Sequence, residues 1–293
     1  MLTIYPTYRV NVANALRGEA PQRLNRDLSP SMKPLIVIPA RMASTRLPGK
    51  PLADIAGMPM IVRVCELARA SNCGPVLVAA AEQSIVDVVT RAGFDAILTD
   101  PALPSGSDRV HAAAETYDSP GTFDAIINLQ GDMPTLKPES LETVLAPLEA
   151  ESTCDIATLA SEITDEHEKT NPHVVKAVIS FAPKSKQGRA LYFTRSTAPH
   201  GDGPLFHHIG VYAYRRSALA KFVAAPPTEL EIRERLEQLR ALELGLRIDC
   251  ALIPGPPPNG VDTPKDLKQT RAEYKESQVG FAAGSQSRQN SNK

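Results

Sequence analysis

Leu35-Ile36-Val37-Ile38-Pro39-Ala40-Arg41-Met42-Ala43-Ser44-Thr45-Arg46-Leu47-Pro48-Gly49-Lys50-Pro51-Leu52 is the stretch on which the reading of this 293-residue chain turns. Four consecutive apolar residues, three of them β-branched, fit a strand buried on both faces, as in a parallel sheet. Pro39 has no amide hydrogen for a ladder and is expected to end the strand. The loop beyond it carries Arg41, Arg46 and Lys50 among small residues, Ala43, Ser44 and Gly49, that let a ligand approach the backbone. In open α/β sheets ligands collect at the carboxyl ends of strands, where this loop falls. Three cations there suit a polyphosphate; a solvated basic loop is the competing reading. The loop is not a Walker A motif, because Pro51 follows Gly49-Lys50 where Ser or Thr would hold Mg²⁺, and there is no GxGxxG.

Outward from this stretch, helices and strands alternate. Gly57-Met58-Pro59-Met60 opens an amphipathic helix through Ile61, Val64, Cys65, Leu67 and Ala68. A buried strand over 75–81 precedes a helix over 82–92 that Gly93 closes, and a short strand follows over 96–99. Ser105-Gly106-Ser107-Asp108-Arg109 turns into a helix over 110–117, with Ser107 or Asp108 as its N-cap. The strand over 123–129 ends in Gln130-Gly131-Asp132-Met133-Pro134. Asp132 there is either a Mg²⁺ ligand or an Asx-turn or cap for the helix beginning near Pro138. Such βαβ spacing predicts an α/β fold with a mostly parallel central sheet and flanking helices.

Beyond residue 150 the character changes. Strands are expected over 155–160, 174–180, 190–193 and 208–214, joined by longer polar loops. A short helix over 217–223 precedes one long helix over 229–244, with Leu230, Leu236, Leu239 and Leu242 on its apolar side. Four prolines between 254 and 258 lead to Gly260-Val261-Asp262-Thr263-Pro264, where Thr263 caps the last helix. Residues 1–31 keep no helical or strand period and read as a disordered or artefactual extension, with Met32 the expected start. Residues 277–293 read as a disordered tail, leaving 32–276 as the working domain.

A formal net charge of −1 sets up no basic field for nucleic acid or a membrane surface. Cys65, Cys73, Cys154 and Cys250 are scattered without a CxxC, which fits a reducing cytoplasm rather than a zinc site or disulfide framework. No apolar run approaches the roughly 20 residues that span a bilayer. Trp is absent, so base recognition does not rest on a Trp platform.

The string from Pro39 to Leu52 resembles the PARxxSTRLPGKPL opening of the 3-deoxy-manno-octulosonate (Kdo) cytidylyltransferases. The likeness recurs in the family's order at Ser105 to Arg109, Gln130 to Pro134, and Asn171-Pro172 with Val175-Lys176. It continues at 190–199 (ALYFTRSTAP), 208–214, 236–240 (LEQLR) and 260–267 (GVDTPKDL). The resemblance implies a nucleotide-diphospho-sugar-transferase fold with a smaller sugar-binding and dimerisation lobe, and a homodimer. The implied reaction joins CTP and Kdo into CMP-Kdo and pyrophosphate, for lipopolysaccharide biosynthesis, with Mg²⁺ as cofactor. By the same likeness Arg41, Arg46 and Lys50 hold phosphates, and Ser44, Ser105, Gly106, Arg109 and Gln130 complete the nucleotide site. Asp132 and Asp262 are the metal carboxylates. Arg195, His208, Tyr212, Glu237 and Gln238 form the acid-sugar pocket; read alone, His208 is a core histidine and Glu237 a solvated helix face. His207 falls on the opposite sheet face from His208, so the pair is not a metal site.

Three positions depart from the family pattern: Met133 for an acid, Ala81 for Asp and Pro104 for Gln. Another acid sugar, sialic acid or an amino-Kdo, therefore stays open as the substrate. So does a non-catalytic nucleotide-binding module.

Overall fold

The computed structural model describes residues 32–276; the expected extension over 1–31 and tail over 277–293 lie outside them. The elements run β1 (Pro34–Ala40), the small hairpin β2 (Asp54–Ile55) and β3 (Met58–Pro59), α1 (Met60–Ala70), β4 (Val76–Ala80) and α2 (Gln83–Arg91). Next come β5 (Asp95–Leu98), α3 (Gly106–Tyr117), β6 (Ala125–Asn128) and α4 (Glu139–Ala150). The second half adds β7 (Ile156–Glu162), α5 (Glu166–Thr170), β8 (Lys176–Phe181), β9 (Gln187–Thr194), β10 (Phe206–Arg215) and α6 (Arg216–Val223). It finishes with α7 (Glu229–Glu234), α8 (Gln238–Glu243), β11 (Ile248–Leu252) and a helix over 264–276.

The main sheet has nine strands in the order β5-β4-β1-β6-β10-β7-β11-β9-β8. From β5 to β6 every pairing is parallel, because α1, α2 and α3 return the chain to the same end of the sheet. Here the α/β expectation holds. Beyond β6 it needs correction: β10 runs antiparallel to both β6 and β7, and β11-β9-β8 are antiparallel in turn, with only β7–β11 parallel. The short link from β8 to β9 has no crossover helix and can join only antiparallel strands. The strands of the second half, β7 to β11, belong to this same sheet.

β1 passes through Pro39 rather than ending on it. Ile36 donates to Pro75 O and Ala40 O accepts from Ala81, so even-numbered residues of β1 bond towards β4. Val37 O accepts from Leu129 on the β6 side. The amide that Pro39 lacks would point the same way as Val37. Pairing with β6 accordingly stops at Val37, while pairing with β4 runs on to Ala40.

Both sheet faces are covered. Ile36 and Ile38 pack with α1, α2 and α4 through Ile61, Ile85 and Leu141; Leu35 and Val37 pack with α3 and α6 through Val110, Leu219 and Phe222. Each such fully buried side chain contributes about 1.5–3 kcal/mol of transfer free energy.

Three further corrections bear on the site. The single helix expected over 229–244 is two, broken at Arg235, which sits in the left-handed region at φ 56°. Ser105, not Ser107 or Asp108, caps α3, its hydroxyl accepting from Asp108 N–H at 3.2 Å. β11 and α5 were not anticipated at all. In β10 the pairing with β7 jumps from Ile209 opposite Leu159 to Tyr212 opposite Thr158, a bulge that the Thr158 hydroxyl closes on Val211 O at 2.9 Å. It leaves the rings of His208 and Tyr212 adjacent, with centroids 5.6 Å apart.

Candidate active site

The loop after β1 is shaped by two contacts that no cation makes. Met42 N–H donates to Glu82 Oε2 at 3.0 Å, and Gly49, at φ 67°, turns the chain into the 3-10 turn Lys50–Leu52. That turn brings the Lys50 ammonium to Asp132 Oδ2 at 2.6 Å and Asp262 Oδ1 at 3.1 Å. Arg46 closes the group on Asp262 Oδ2 at 3.0 Å. A backbone bond, Val261 N–H to Asp132 O at 2.9 Å, ties together the two segments that bear the carboxylates. Burial pulls the Lys50 ammonium down, but Asp132 and then Asp262 outweigh it and hold Lys50 above the ordinary lysine value.

Asp132 is thus no helix cap: its carboxylate bonds Lys50, and α4 starts from Pro138 without a side-chain cap. Gly131 lies close against the strand, since a Cβ there would sit a tight 3.1 Å from Pro39 O. Arg109 on α3 is 2% exposed and donates to Thr99 Oγ1 and Asp100 O. Burial, then the charge of Arg41, pulls its guanidinium below the usual arginine value. These elements enclose a cleft of about 380 Å³ at the carboxyl ends of β1 and β6. Every residue expected at the nucleotide lines it, namely Arg41, Ser44, Arg46, Lys50, Ser105, Gly106, Arg109 and Gln130, and so do Asp132 and Asp262.

The donor set suits Mg²⁺. Two carboxylates converge on one ammonium, so the space between them already favours a cation. No third His, Cys, Asp or Glu joins them among the described residues. A Mg²⁺ ion ordinarily takes one or two carboxylates and completes its octahedron with phosphate oxygens and water. Met133, at the family's acidic position, packs against the core instead of lining the cleft.

The residues expected at the sugar form a second group, outside that cleft lining. His208 is buried beside Phe193, with ring centroids 4.8 Å apart, and Thr158 Oγ1 lies 3.0 Å from its Nε2. Burial, then the charge of His207, pushes its imidazole down to about 3, so it is neutral at pH 7. Burial likewise pushes the Tyr212 phenol up, helped by Tyr214 and Glu237. Glu237 Oε2 accepts from Ser107 at 2.9 Å, whereas buried Glu237 Oε1 and Gln238 Nε2 have no partner among the described residues. Arg195 hangs on backbone carbonyls: Glu234 O at 2.8 Å, Pro172 O at 3.1 Å and Arg235 O at 3.3 Å. The turn at Arg235 leaves the carbonyls of residues 234 and 235 at a helix end, where a guanidinium can take them. His207 bonds Glu168 at 3.2 Å, apart from His208.

Sequence reasoning missed the supporting residues. Glu82 had a signal, a carboxylate at the end of a buried strand. Ser107 was read only as a cap. Lys176, fully buried with its ammonium on Asn171 O and Val174 O, was noted only as part of a block.

A family model described as cytidylyltransferase matches residues 35–248. The chain is 59% identical over 239 residues to the 3-deoxy-manno-octulosonate cytidylyltransferase of Parvibaculum lavamentivorans, covering 82% of this chain and 92% of that one. It belongs to the 3-deoxy-manno-octulosonate cytidylyltransferase family. The member of this family from Rhodospirillum centenum is 58% identical at the same coverage. Among solved structures, CMP:2-keto-3-deoxy-manno-octonic acid synthetase complexed with CTP superposes with a TM-score of 0.76 at 36% identity, covering 84% of this chain and 99% of that one. A cytidylyltransferase from Leptospira borgpetersenii, 17% identical with a TM-score of 0.53, shares the fold over 82% of this chain and 85% of its own. The Kdo cytidylyltransferase fold thus spans the parallel and the antiparallel strands alike.

Proposed function

We propose that this chain transfers CMP from CTP to the anomeric hydroxyl of Kdo, releasing pyrophosphate and forming CMP-Kdo for lipopolysaccharide biosynthesis. The observation that carries the reading is the meeting of Lys50, Asp132 and Asp262 inside the cation-rich cleft, in a chain of this family.

Both substrates are anions, so bringing them together requires their charges to be offset. Arg41 and Arg46 are exposed cations at the mouth, suited to the triphosphate, while Lys50 can turn from its carboxylates to a phosphate oxygen. Ser105, Gly106 and buried Arg109 suit the cytidine. Asp132 and Asp262 would hold Mg²⁺, which when bound neutralises triphosphate charge and makes the α-phosphorus more electrophilic. On the other side Arg195 suits the sugar carboxylate, with Glu237, Gln238, His208 and Tyr212 for its hydroxyls. The sugar hydroxyl oxygen bonds to the α-phosphorus as the bond to pyrophosphate breaks, and the hydroxyl proton is released to solvent or to the departing pyrophosphate. The protein's part is in-line positioning and charge balance. By the family likeness we also place the chain in the cytoplasm as a homodimer, with CTP and Kdo as partners rather than nucleic acid or membrane. Among the described residues no helix is long and apolar enough to cross a membrane.

The test is pyrophosphate release from CTP and Mg²⁺ with Kdo, sialic acid and an amino-Kdo offered separately and in competition. Release with Kdo preferred is expected. Preference for another acid sugar would reassign the substrate, and no release with any of them would remove the catalytic reading.

A further inference from the structure

Ser107 occupies the first turn of α3, between residues that belong to the nucleotide cleft. Ser105, Gly106 and Arg109 all line that cleft, yet Ser107 does not. It is 1% exposed, and its hydroxyl donates across 130 positions of sequence to Glu237 Oε2 at 2.9 Å. The Tyr214 phenol bonds the same hydroxyl. Beyond that bond, the other carboxylate oxygen of Glu237 and the amide nitrogen of Gln238 are buried without partners among the described residues. Buried polar atoms are nearly always paired, so two orphans on consecutive residues mark where a polar ligand belongs. One turn of helix therefore touches the nucleotide side with three residues and the unsatisfied carboxylate with a fourth.

We propose that Ser107 is a positioning residue through which nucleotide occupancy sets the Glu237 carboxylate for the acid sugar. The inference rests on, and deepens, the reading of Glu237 as a sugar contact. A nucleotide held at Ser105 and Gly106 braces the first turn of α3, from which Ser107 already reaches Glu237. Its hydroxyl then fixes Oε2, leaving Oε1 to accept from a sugar hydroxyl. Whatever freedom the turn and Glu237 still have is given up once, with the first ligand, so the second binds more tightly. By linkage Kdo must tighten the nucleotide by the same factor.

Calorimetric titration of Kdo with and without the unreactive analogue α,β-methylene-CTP, in Mg²⁺, reads this coupling. In the unaltered chain the analogue is expected to tighten Kdo about tenfold. In Ser107→Ala the tightening is lost in both directions, of Kdo by the analogue and of the analogue by Kdo, while the analogue titrated alone keeps its affinity within about twofold. Ser107→Thr, which keeps the hydroxyl, restores both, and Ser107→Cys, a weaker donor, falls between. A loss of analogue affinity in Ser107→Ala even without Kdo, undiminished tightening in Ser107→Ala, or no tightening in the unaltered chain would overturn the proposal. Glu237→Gln separates the two readings. If it leaves KM for Kdo unchanged, the sugar assignment of Glu237 fails; if it weakens Kdo while Ser107→Ala keeps its coupling, only the coupling fails.

Discussion

At the ends of β1 and β6, Lys50 and Arg46 are matched with Asp132 and Asp262, charge against charge. Around β9, β10 and α7 the Arg195 guanidinium meets three backbone carbonyls and, among the described residues, no carboxylate, and His208 is held neutral by burial. In the first region both carboxylates are already paired, so a metal must exchange into an existing network, while Arg41 and Arg109 add positive charge for the triphosphate. The second keeps a net positive group fixed by dipoles, ready for an anion. One surface can therefore receive a tetra-anionic nucleotide with its cation while the other selects a monoanionic sugar.

The largest test of that contrast breaks the closed network. Asp132→Asn and Asp262→Asn should each lower kcat/KM by about 10²–10⁴. Because the two carboxylates share Lys50, the double variant should be little worse than the poorer single one. Pyrophosphate release across a Mg²⁺ titration checks this, and additive losses would show the carboxylates to be independent. Next in size, Arg195→Ala should raise KM for Kdo roughly tenfold to a hundredfold, the cost of a charge-assisted pair, and leave KM for CTP nearly unchanged. Equal damage to both substrates would erase the distinction between the regions.

The parts that were legible in the sequence are those whose signal is local. β1 showed itself as four apolar residues, and Asp132 as an acid at a strand end. The break at Arg235 had no such signal, because no Gly or Pro stands between 229 and 244. A left-handed Arg costs about 1–2 kcal/mol, and it is kept by one partner far away in sequence and by one pair that spans the break. Arg195 takes the two carbonyls beside the break, while Arg240 binds Glu231 across it. β11 escaped because Asp249 interrupts its short apolar pattern. That aspartate is only 5% exposed and is neutralised by Arg247 at 3.0 Å. The sugar-side residues came from the family likeness alone. His208 is in fact a buried core histidine by its packing, so its bland reading and its assigned one describe the same side chain.

Acidity sharpens the contrast at a smaller scale. His208 titrates at about 3 when folded and near 6.5 when unfolded, so the unfolded chain binds the extra proton between those values. Its contribution is whole above pH 6.5 and falls by up to about 1.4 kcal/mol per pH unit below it. Lys50, raised instead, contributes below its ordinary 10.5 and loses that contribution as pH climbs through its folded value. Urea midpoints from pH 7 to 4.5 should therefore drop more steeply in the unaltered chain than in His208→Gln; parallel slopes would place the acid sensitivity elsewhere. Smallest of all, Ser105→Ala removes the cap of α3 and should cost about 1 kcal/mol by thermal unfolding, with KM for CTP affected before KM for Kdo. An unchanged melting temperature would show that the cleft, not the cap, holds this turn.

Pro39 works by a hydrogen it does not have. Two neighbouring parallel strands with amides throughout would lace together to their tips, and β1 and β6 stop short because residue 39 has no stitch to offer on that side. Into the unlaced seam comes Gly131, so close to the Pro39 carbonyl that a methyl group would not fit comfortably. Pro39→Ala would return the stitch and draw the Gly131-Asp132 segment towards the sheet, away from Lys50. Where the ladder stops beside the cleft is set by an atom missing from the backbone.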